Sequence, residues 1–261
     1  MIGIVLAGGY AKRLWPLTQK IAKPLLPVAG LPILNYVVNK LIQLDDVDEI
    51  VISINKRFEG QFKNWLKKYR FKNVWLRVED SLREEEKPGA IKAISETLKD
   101  VSSKEYLIIA GDNFFTSDLK DFIRYYRKKK SSTIALYDVK NVKLAKEYAV
   151  VKLNRKGRII SFIEKPKKPE STLIGTCIYL LPDKSLKKIY KYLDEGLSPD
   201  SPGHFIGWLT SKEKVYGYRL KGYWVDIGNL DSYAEANRFV NRMKIGMENN
   251  LVKVSSAPIQ L

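Results

Sequence analysis

Cysteine and histidine are almost absent from this chain of 261 residues. Cys177 is the only cysteine, so one chain can form neither an internal disulfide nor a thiolate zinc site. His204 is the only histidine, which excludes a histidine-rich metal site. Any metal that the chain binds must therefore be held by oxygen ligands.

Long apolar runs are also missing. No window reaches the ~18 consecutive apolar residues of a membrane-spanning helix. The N-terminus lacks the basic region and the cleavage site of a secretory signal. We therefore expect a cytoplasmic protein with no membrane partner.

Acidic residues are scarce relative to basic ones. The chain has 29 Asp and Glu against 46 Lys and Arg, a formal charge of +17. Such an excess would suit a nucleic-acid surface, for which Arg127–Lys130 is the best local candidate. However, the lysines are scattered along every helical segment, and abundant lysine paired with glutamate is also typical of proteins from hot environments. We expect a solvated basic surface and no nucleic-acid partner, with 127–130 as the end of an exposed helix.

Apolar periodicity predicts an α/β fold. Strand-like runs alternate with helical spacings, a pattern that favours βαβ units with right-handed crossovers. The first run is apolar on both faces, as expected of a strand buried between helices. We predict a Rossmann-like, mixed, mostly parallel sheet flanked by helices. The runs lie at 2–6, 49–54, 73–79, 105–110 and 133–138.

The pattern changes after residue 140, where short strands follow one another with few helical residues between them. One helix is predicted from Lys184 to Leu193, and another at the C-terminus. The sequence shows no internal repeat or flexible linker. We predict a single domain, 1–261, with lobes at 1–140 and 141–261 and a ligand cleft between them.

The segment 2–30 joins the first strand to a glycine turn, cations and prolines. Gly8 and Gly9 have no Cβ, so their backbone N–H groups can approach a ligand closely. The guanidinium of Arg13 and the ammonium of Lys23 suit phosphate oxygens. The two glycines alone would also fit the turn of any βα unit. The whole segment is more specific and indicates a polyphosphate site that is neither a P-loop nor a GxGxxG turn.

Two later segments place charged side chains at strand ends. Asp112 follows the buried strand LIIA, where open α/β sheets bind ligands, and its carboxylate is a hard ligand for magnesium. Glu164 and Lys165 are adjacent, so one or both must lie at the end of their strand. Taken singly, Asp112 could be a helix cap and the pair ordinary turn residues. Asp226 could likewise cap a helix that begins near Leu230.

Five segments together resemble the sugar-1-phosphate nucleotidyltransferases, and glucose-1-phosphate thymidylyltransferases in particular. GGYAKRLWPLT followed by KPLLPVAGLPIL is similar to the string that opens this family. KPGAIKAI, LIIAGDNFF, ISFIEKP and GYWVDIGNLDSYAEANR match later family segments in the required order. The resemblance extends from residue 2 to about residue 240.

The resemblance implies a role for each matched residue. It makes 1–140 mainly the nucleotide-binding lobe and 141–261 mainly the sugar-binding lobe and C-terminal helix. The implied catalytic residues are Arg13, Lys23, Asp112 and Lys165. The implied nucleotide-binding residues are Leu6, Ala7, Gly8, Gly9, Gly89 and Gly111. The implied sugar-binding residues are Glu164, Lys165, Ala149 and Cys177, and the implied ligands of Mg²⁺ are Asp112 and Asp226.

The implied reaction joins a nucleoside triphosphate to a hexose 1-phosphate and releases pyrophosphate. The triplet GDN, ending in Asn113, is most like the thymidylyltransferases that act on glucose 1-phosphate. This resemblance favours dTTP as the nucleotide. UTP is the next candidate, because uracil differs from thymine only by a methyl group, which is worth roughly 1 kcal/mol of discrimination. The family often forms dimers or tetramers, so a homo-oligomer is compatible with the sequence.

Some positions depart from the family pattern. Ala11 replaces a usual glycine, which costs about 1 kcal/mol or more if the loop needs a positive φ there. Lys12 replaces a threonine and adds a cation beside Arg13. Ala149 and Cys177 replace glycines in the sugar half, where a methyl and a thiol would narrow the pocket.

Two other classes stay open. One is a non-catalytic relative that binds nucleotide sugars, although such proteins usually lose the loop cation or a metal aspartate. The other is a basic nucleic-acid-binding α/β protein, which the five ordered matches disfavour. The chain ends before the repeat-built helical domain that some relatives carry, so we expect no acyltransferase activity.

Overall fold

A computed structural model describes the backbone of residues 1–255 and the side chains of residues 1–245. The last six residues of the predicted domain, 256–261, lie outside the described residues. The strands are β1 Ile2–Leu6, β2 Pro27–Val28, β3 Leu31–Pro32, β4 Glu49–Asn55, β5 Val74–Glu79, β6 Glu105–Ala110, β7 Asn113–Phe115, β8 Thr133–Asp138, β9 Ala149–Leu153, β10 Ile159–Glu164, β11 Leu173–Pro182, β12 Tyr216–Arg219 and β13 Trp224–Asp226. The helices are α1 Leu17–Lys20, α2 Ile33–Ile42, α3 Glu59–Tyr69, α4 Ala90–Asp100, α5 Leu119–Lys129, α6 Val142–Ala145, α7 Asp183–Leu186, α8 Lys188–Asp194, α9 Pro202–Lys212 and α10 Leu230–Ser255. Short 3₁₀ turns lie at Lys12–Leu14, Lys23–Leu25, Lys56–Phe58 and Glu84–Glu86.

One nine-stranded sheet runs through the molecule in the order β10-β9-β11-β6-β1-β4-β5, with β8 beside β11 and β12 beside β8. Strand β1 is parallel to β4 and β6, and β4 is parallel to β5. Strand β11 is antiparallel to β6 and connects the parallel part to the β-rich strands. The predicted mixed α/β fold, with a large and mostly parallel sheet flanked by helices, is confirmed. Strands from both predicted lobes belong to this one sheet.

Apolar layers cover both faces of the sheet. In β1, Val5 packs in the layer formed with α2, α3 and α5, whereas Ile4 faces the layer formed with α4, α8 and α9. Both side chains are fully buried, as the sequence predicts for a strand between helices. Each such burial stabilises the fold by roughly 1.5–3 kcal/mol. The sheet is therefore a rigid base for the loops at its carboxyl edge.

A third, smaller core holds those loops in place. Leu14 from the glycine-rich loop, Leu26 and Val28 pack against Phe114 of β7 and Ile227. Residues Ala236 and Val240 of α10 close the same cluster. The segment that follows β1 is thus anchored by apolar contacts to elements from the far end of the chain.

The structure differs from the sequence prediction in several elements. The single helix predicted at 184–193 is the consecutive pair α7 and α8, which are separated only by Lys187, itself in a helical backbone conformation. Helix α9 and strand β12 were not predicted. The N-terminal signal of α9 is Ser201 followed by Pro202, a residue pair that is typical of a helix start.

Among the residues that the structure describes, no helix is both long enough and apolar enough to cross a membrane.

Candidate active site

The candidate site lies at the edge where the parallel strands β1, β4 and β6 end. The Gly111 N–H donates to the Leu6 carbonyl at 2.8 Å, and the Ala7 N–H donates to the Ser53 carbonyl at 2.8 Å. The side-chain amide of Asn55 donates to the Gly8 carbonyl at 3.0 Å. These bonds hold the glycine turn against the ends of both neighbouring strands.

A first cavity of about 240 Å³ opens over this turn. It is lined by residues from the turn, from the loop before α4, and from the ends of β4, β5 and β6. The lining includes seven residues singled out in the sequence as nucleotide-binding or catalytic: Leu6, Ala7, Gly8, Gly9, Lys23, Gly89 and Asp112.

The other predicted nucleotide-binding residue, Gly111, is not in the cavity wall. A Cβ at this position would lie 3.1 Å from the Leu6 carbonyl oxygen, so glycine permits the close approach of β6 to β1. Gly89 does line the cavity, with φ +88°. A Cβ there would lie 2.4 Å from the Pro199 carbonyl oxygen. Gly89 is thus required by the backbone itself, whereas Gly111 allows a closer strand approach than a Cβ would easily permit.

Ala11 occupies the left-handed region, with φ 50° and ψ 48°. The family pattern has glycine here, and the structure shows why, because this conformation is strained for a residue with a Cβ. The hydroxyl of Thr18 donates to the Ala11 carbonyl at 2.8 Å, and Leu14 is fully buried below. The loop thus keeps the glycine-type conformation despite the alanine.

The two adjacent cations of the loop point in different directions. Lys12 forms ion pairs with Glu84 at 2.7 Å and Glu85 at 3.2 Å, away from the first cavity. Arg13 lies 3.6 Å from Glu147 and lines a second cavity. Lys12 is therefore paired with acidic residues, whereas Arg13 borders the second cavity.

Strand pairing brings together two acidic residues that are distant in sequence. Strands β7 and β13 are antiparallel, with Asp226 opposite Asn113. The Ile227 N–H donates to the Asp112 carbonyl at 3.1 Å. The carboxyl groups of Asp112 and Asp226 both line the second cavity, close enough for the charge of Asp112 to raise the pKa of Asp226.

Lys23 sits against this acidic pair and forms an ion pair with Asp112 Oδ2. Burial would lower the pKa of the Lys23 ammonium, but the charges of Asp112 and Asp226 outweigh it and raise that pKa. Burial and then the charge of Asp112 raise the pKa of Asp226 to about 7. A lysine and two carboxylates therefore form one electrostatic unit at the sheet edge.

The second cavity, of about 180 Å³, adjoins the first. Ala110, Asp112, Cys177 and Pro202 line both cavities. The remaining residues singled out in the sequence line the second cavity: Arg13, Ala149, Glu164, Lys165 and Asp226.

Glu164 and Lys165 lie at the end of β10, as their adjacency predicted. Glu164 is the last residue of the strand, and Lys165 follows with φ 44°. The Lys165 N–H donates to the Tyr148 carbonyl at 3.1 Å.

Cys177 also has a positive φ, 54°, at a position where the family pattern has glycine. Burial, followed by the charge of Asp112, raises the pKa of its thiol.

Several cavity residues were not singled out from the sequence. Glu79, at the end of β5, lies beside Gly8 in the first cavity and accepts a hydrogen bond from Ser53 at 2.9 Å. Burial raises the pKa of its carboxyl. Tyr148 and Ser201 line the second cavity, and burial raises the pKa of the Tyr148 phenol. The strand-end position of Glu79 is the one signal that could have identified it.

The fold and these two cavities define the class of protein: an α/β domain with a two-part, charge-lined site at the carboxyl edge of its sheet. Residues 2–243 match the family model described as nucleotidyl transferase, and the chain belongs to this family. The resemblance to sugar-1-phosphate nucleotidyltransferases that the sequence showed is thereby confirmed.

Curated relatives include proteins named bifunctional protein GlmU. The one from Methanocaldococcus jannaschii is 33% identical over 241 residues, covering 92% of this chain and 54% of the relative. The one from Methanococcus aeolicus is 30% identical over 246 residues, again with 92% and 54% covered. The chain thus spans about half the length of these relatives.

A similar solved structure is a candidate glucose-1-phosphate thymidylyltransferase from Bacillus anthracis, in complex with sucrose. It has a TM-score of 0.80 and 26% sequence identity. The similarity covers 92% of this chain and 95% of that one.

Replacing Ala11 by glycine should stabilise the protein. The substitution removes the left-handed strain of a Cβ and adds the smaller entropic cost of glycine, so we expect the free energy of unfolding to rise by up to ~1 kcal/mol. Denaturant unfolding measures this. The matched control Ala234→Gly, within α10, should lower it by about 1 kcal/mol. A loss of stability in Ala11→Gly would contradict the strain argument.

Replacing Glu79 by glutamine should stabilise the protein more at neutral pH than in acid. Burial raises the pKa of Glu79 in the folded state above its value in the unfolded state. The protonated carboxyl therefore contributes its full stability at pH values below the unfolded-state pKa, and this contribution is lost as the pH rises through the folded-state pKa. The Tm gain of Glu79→Gln should therefore grow from about pH 4 to about pH 8.

The control for this test is Glu170→Gln, at an exposed carboxylate whose pKa is lowered by Lys152. This variant should show no gain at neutral pH. A Tm gain of Glu79→Gln that does not change with pH would exclude ionisation of the buried carboxyl as its cause.

Proposed function

We propose that this protein transfers a nucleotidyl group from a nucleoside triphosphate to a hexose 1-phosphate and releases pyrophosphate. The observation that carries the proposal is the junction of two cavities at Asp112. Lys23 lines the first cavity, and Arg13 and Asp226 line the second. A triphosphate in the first cavity and a sugar phosphate in the second would meet beside these charges.

The reaction requires that the two substrates are aligned and that their negative charges are neutralised. It requires no covalent enzyme intermediate. A phosphate oxygen of the hexose 1-phosphate attacks the α-phosphorus in line. The bond from that phosphorus to the bridging oxygen of the leaving pyrophosphate breaks. Arg13 lines the second cavity and would bind the triphosphate where it extends from the first cavity past the junction, stabilising the charge that develops on the leaving pyrophosphate. Lys23 would bind phosphates near the attacked centre, and Lys165 would hold the sugar phosphate.

The donor set at Asp112 and Asp226 fits a magnesium ion. Magnesium is usually bound by one or two protein carboxylates and completes its shell with substrate phosphates and water. The two carboxyl groups are neighbours, and both lie on the wall of the second cavity. When bound there, Mg²⁺ would neutralise phosphate charge and make the α-phosphorus more electrophilic. Lys23 keeps a fixed positive charge beside the same carboxylates.

Within this class we propose dTTP as the favoured nucleotide, UTP as the next, and glucose 1-phosphate as the favoured sugar. The support is the GDN triplet together with the solved structure assigned as a candidate thymidylyltransferase. The backbones of Gly8 and Gly89 would approach the nucleoside, and Glu164 would accept hydrogen bonds from the sugar. We also propose a cytoplasmic location and no nucleic-acid partner, since the basic charge serves the anionic substrates.

The test is pyrophosphate release with magnesium, using dTTP, UTP, CTP, ATP and GTP against a panel of hexose 1-phosphates that includes an N-acetylated hexosamine. Release with dTTP and glucose 1-phosphate is expected. Release with another pair would keep the reaction and revise the substrates. If the folded protein releases no pyrophosphate with any pair, the result would favour a non-catalytic relative that binds nucleotide sugars.

The variant Asp112→Asn should lower turnover by roughly 100-fold or more with little change in Tm. It keeps the side-chain volume but removes the charge that binds the metal and pairs with Lys23. Initial rates of pyrophosphate release and a thermal melt measure both effects. Asp45→Asn, on the exposed loop after α2, is the control and should retain the wild-type rate. Near wild-type turnover in Asp112→Asn would contradict the assigned role.

A further inference from the structure

Ser201 stands at the N-cap position of helix α9, yet its hydroxyl does not cap the helix. An N-cap serine usually accepts a hydrogen bond from a backbone N–H of the first turn. Here the Ser201 hydroxyl instead donates to Glu164 Oε1 at 2.9 Å. The hydroxyl is thus directed to a carboxylate in the wall of the second cavity.

The same helix fits closely against β10 through two glycines one turn apart. A Cβ at Gly207 would lie 3.1 Å from the Phe162 carbonyl oxygen, and a Cβ at Gly203 would lie 1.8 Å from Glu164 Oε2. Phe162 and Glu164 are two residues apart, so they share one face of the strand. The N-cap and first turn of α9 therefore contact both carboxylate oxygens of Glu164: Ser201 donates a hydrogen bond to Oε1, and Gly203 packs closely against Oε2.

The segment that leads into α9 is itself held rigidly. The Pro199 carbonyl accepts from the Ile91 N–H at 2.9 Å, and the Asp200 carbonyl accepts from the Ala90 N–H at 3.1 Å. These bonds satisfy N–H groups at the start of α4, beside the first cavity. The Tyr192 hydroxyl also donates to the Ser198 carbonyl at 2.8 Å. The segment immediately before Ser201 is therefore held by hydrogen bonds to α4 and α8.

We propose that Ser201 is a positioning residue, which together with Gly203 fixes the Glu164 carboxylate to accept hydrogen bonds from hexose hydroxyls. The inference rests on the proposed function, since it refines how the second cavity binds sugar. A carboxylate has more acceptor positions than Ser201 uses, so the remaining ones are available to the ligand. Holding the carboxylate in one rotamer lowers the entropy lost when the sugar binds.

The primary test compares Ser201→Ala with Ser201→Thr. The alanine variant should weaken hexose 1-phosphate binding roughly tenfold or more, because a hydrogen bond to a charged group is lost. Threonine keeps the hydroxyl and should restore most of the affinity. The KM for the nucleoside triphosphate should stay within about twofold in both variants. Ser211→Ala, at the exposed far end of α9, is the control and should behave as the wild type.

A double-mutant cycle separates positioning from a direct contact with the ligand. If Ser201 acts through Glu164, then Ser201→Ala should have little further effect in a Glu164→Ala background. Fully additive losses would overturn the inference. Gly203→Ala offers an independent check, because its Cβ must displace the carboxylate. It should weaken sugar binding at least as much as Ser201→Ala.

Titration calorimetry with hexose 1-phosphate measures sugar binding without turnover, so this test does not depend on the proposed reaction. An absence of pyrophosphate release by the unmodified protein would count only against the proposed function. Undiminished binding of hexose 1-phosphate by Ser201→Ala would overturn the inference while leaving the reaction intact. Equal losses of sugar and nucleotide affinity would also overturn it, since they would indicate a general structural role.

Discussion

The short antiparallel pairing of β7 with β13 is the contact on which the candidate site depends. It places Asp226 opposite Asn113, and its apolar residues Phe114 and Val225 anchor it in the small core beneath α10. The two strands are distant in the sequence, β7 near the middle of the chain and β13 near its end, so the pairing depends on tertiary contacts. Loss of the pairing would separate the two carboxylates and open the wall of the second cavity.

Electrostatics then determines what this arrangement can do. Two adjacent carboxylates repel each other, and the ion pair between Lys23 and Asp112 offsets part of that repulsion. The unit is suited to ligands that carry both negative charge and a divalent cation. The excess of basic residues across the chain raises the local concentration of such anions. In the proposed reaction, the same charges would serve both substrate binding and nucleotidyl transfer.

The sequence predicted the parts of the site that depend on local patterns. Asp112 and Glu164 could be placed at strand ends from the sequence, because buried strands have a clear apolar pattern. It did not reveal the role of Asn113, whose side-chain amide is buried and donates to the Thr176 carbonyl at 2.6 Å on the side of the second cavity. The sequence also did not reveal Ser201. In both cases the hydrogen-bond partner is distant in the chain, and the periodicity of apolar residues does not encode such pairings.

The most direct test of the central claim is a crystal structure of the protein with magnesium, hexose 1-phosphate and a non-hydrolysable nucleoside triphosphate. We expect the triphosphate beside Lys23 in the first cavity, the sugar phosphate beside Lys165 in the second, and the metal bound by Asp112 and Asp226. A nucleotide bound away from the glycine turn, or a metal bound by neither carboxylate, would contradict this expectation.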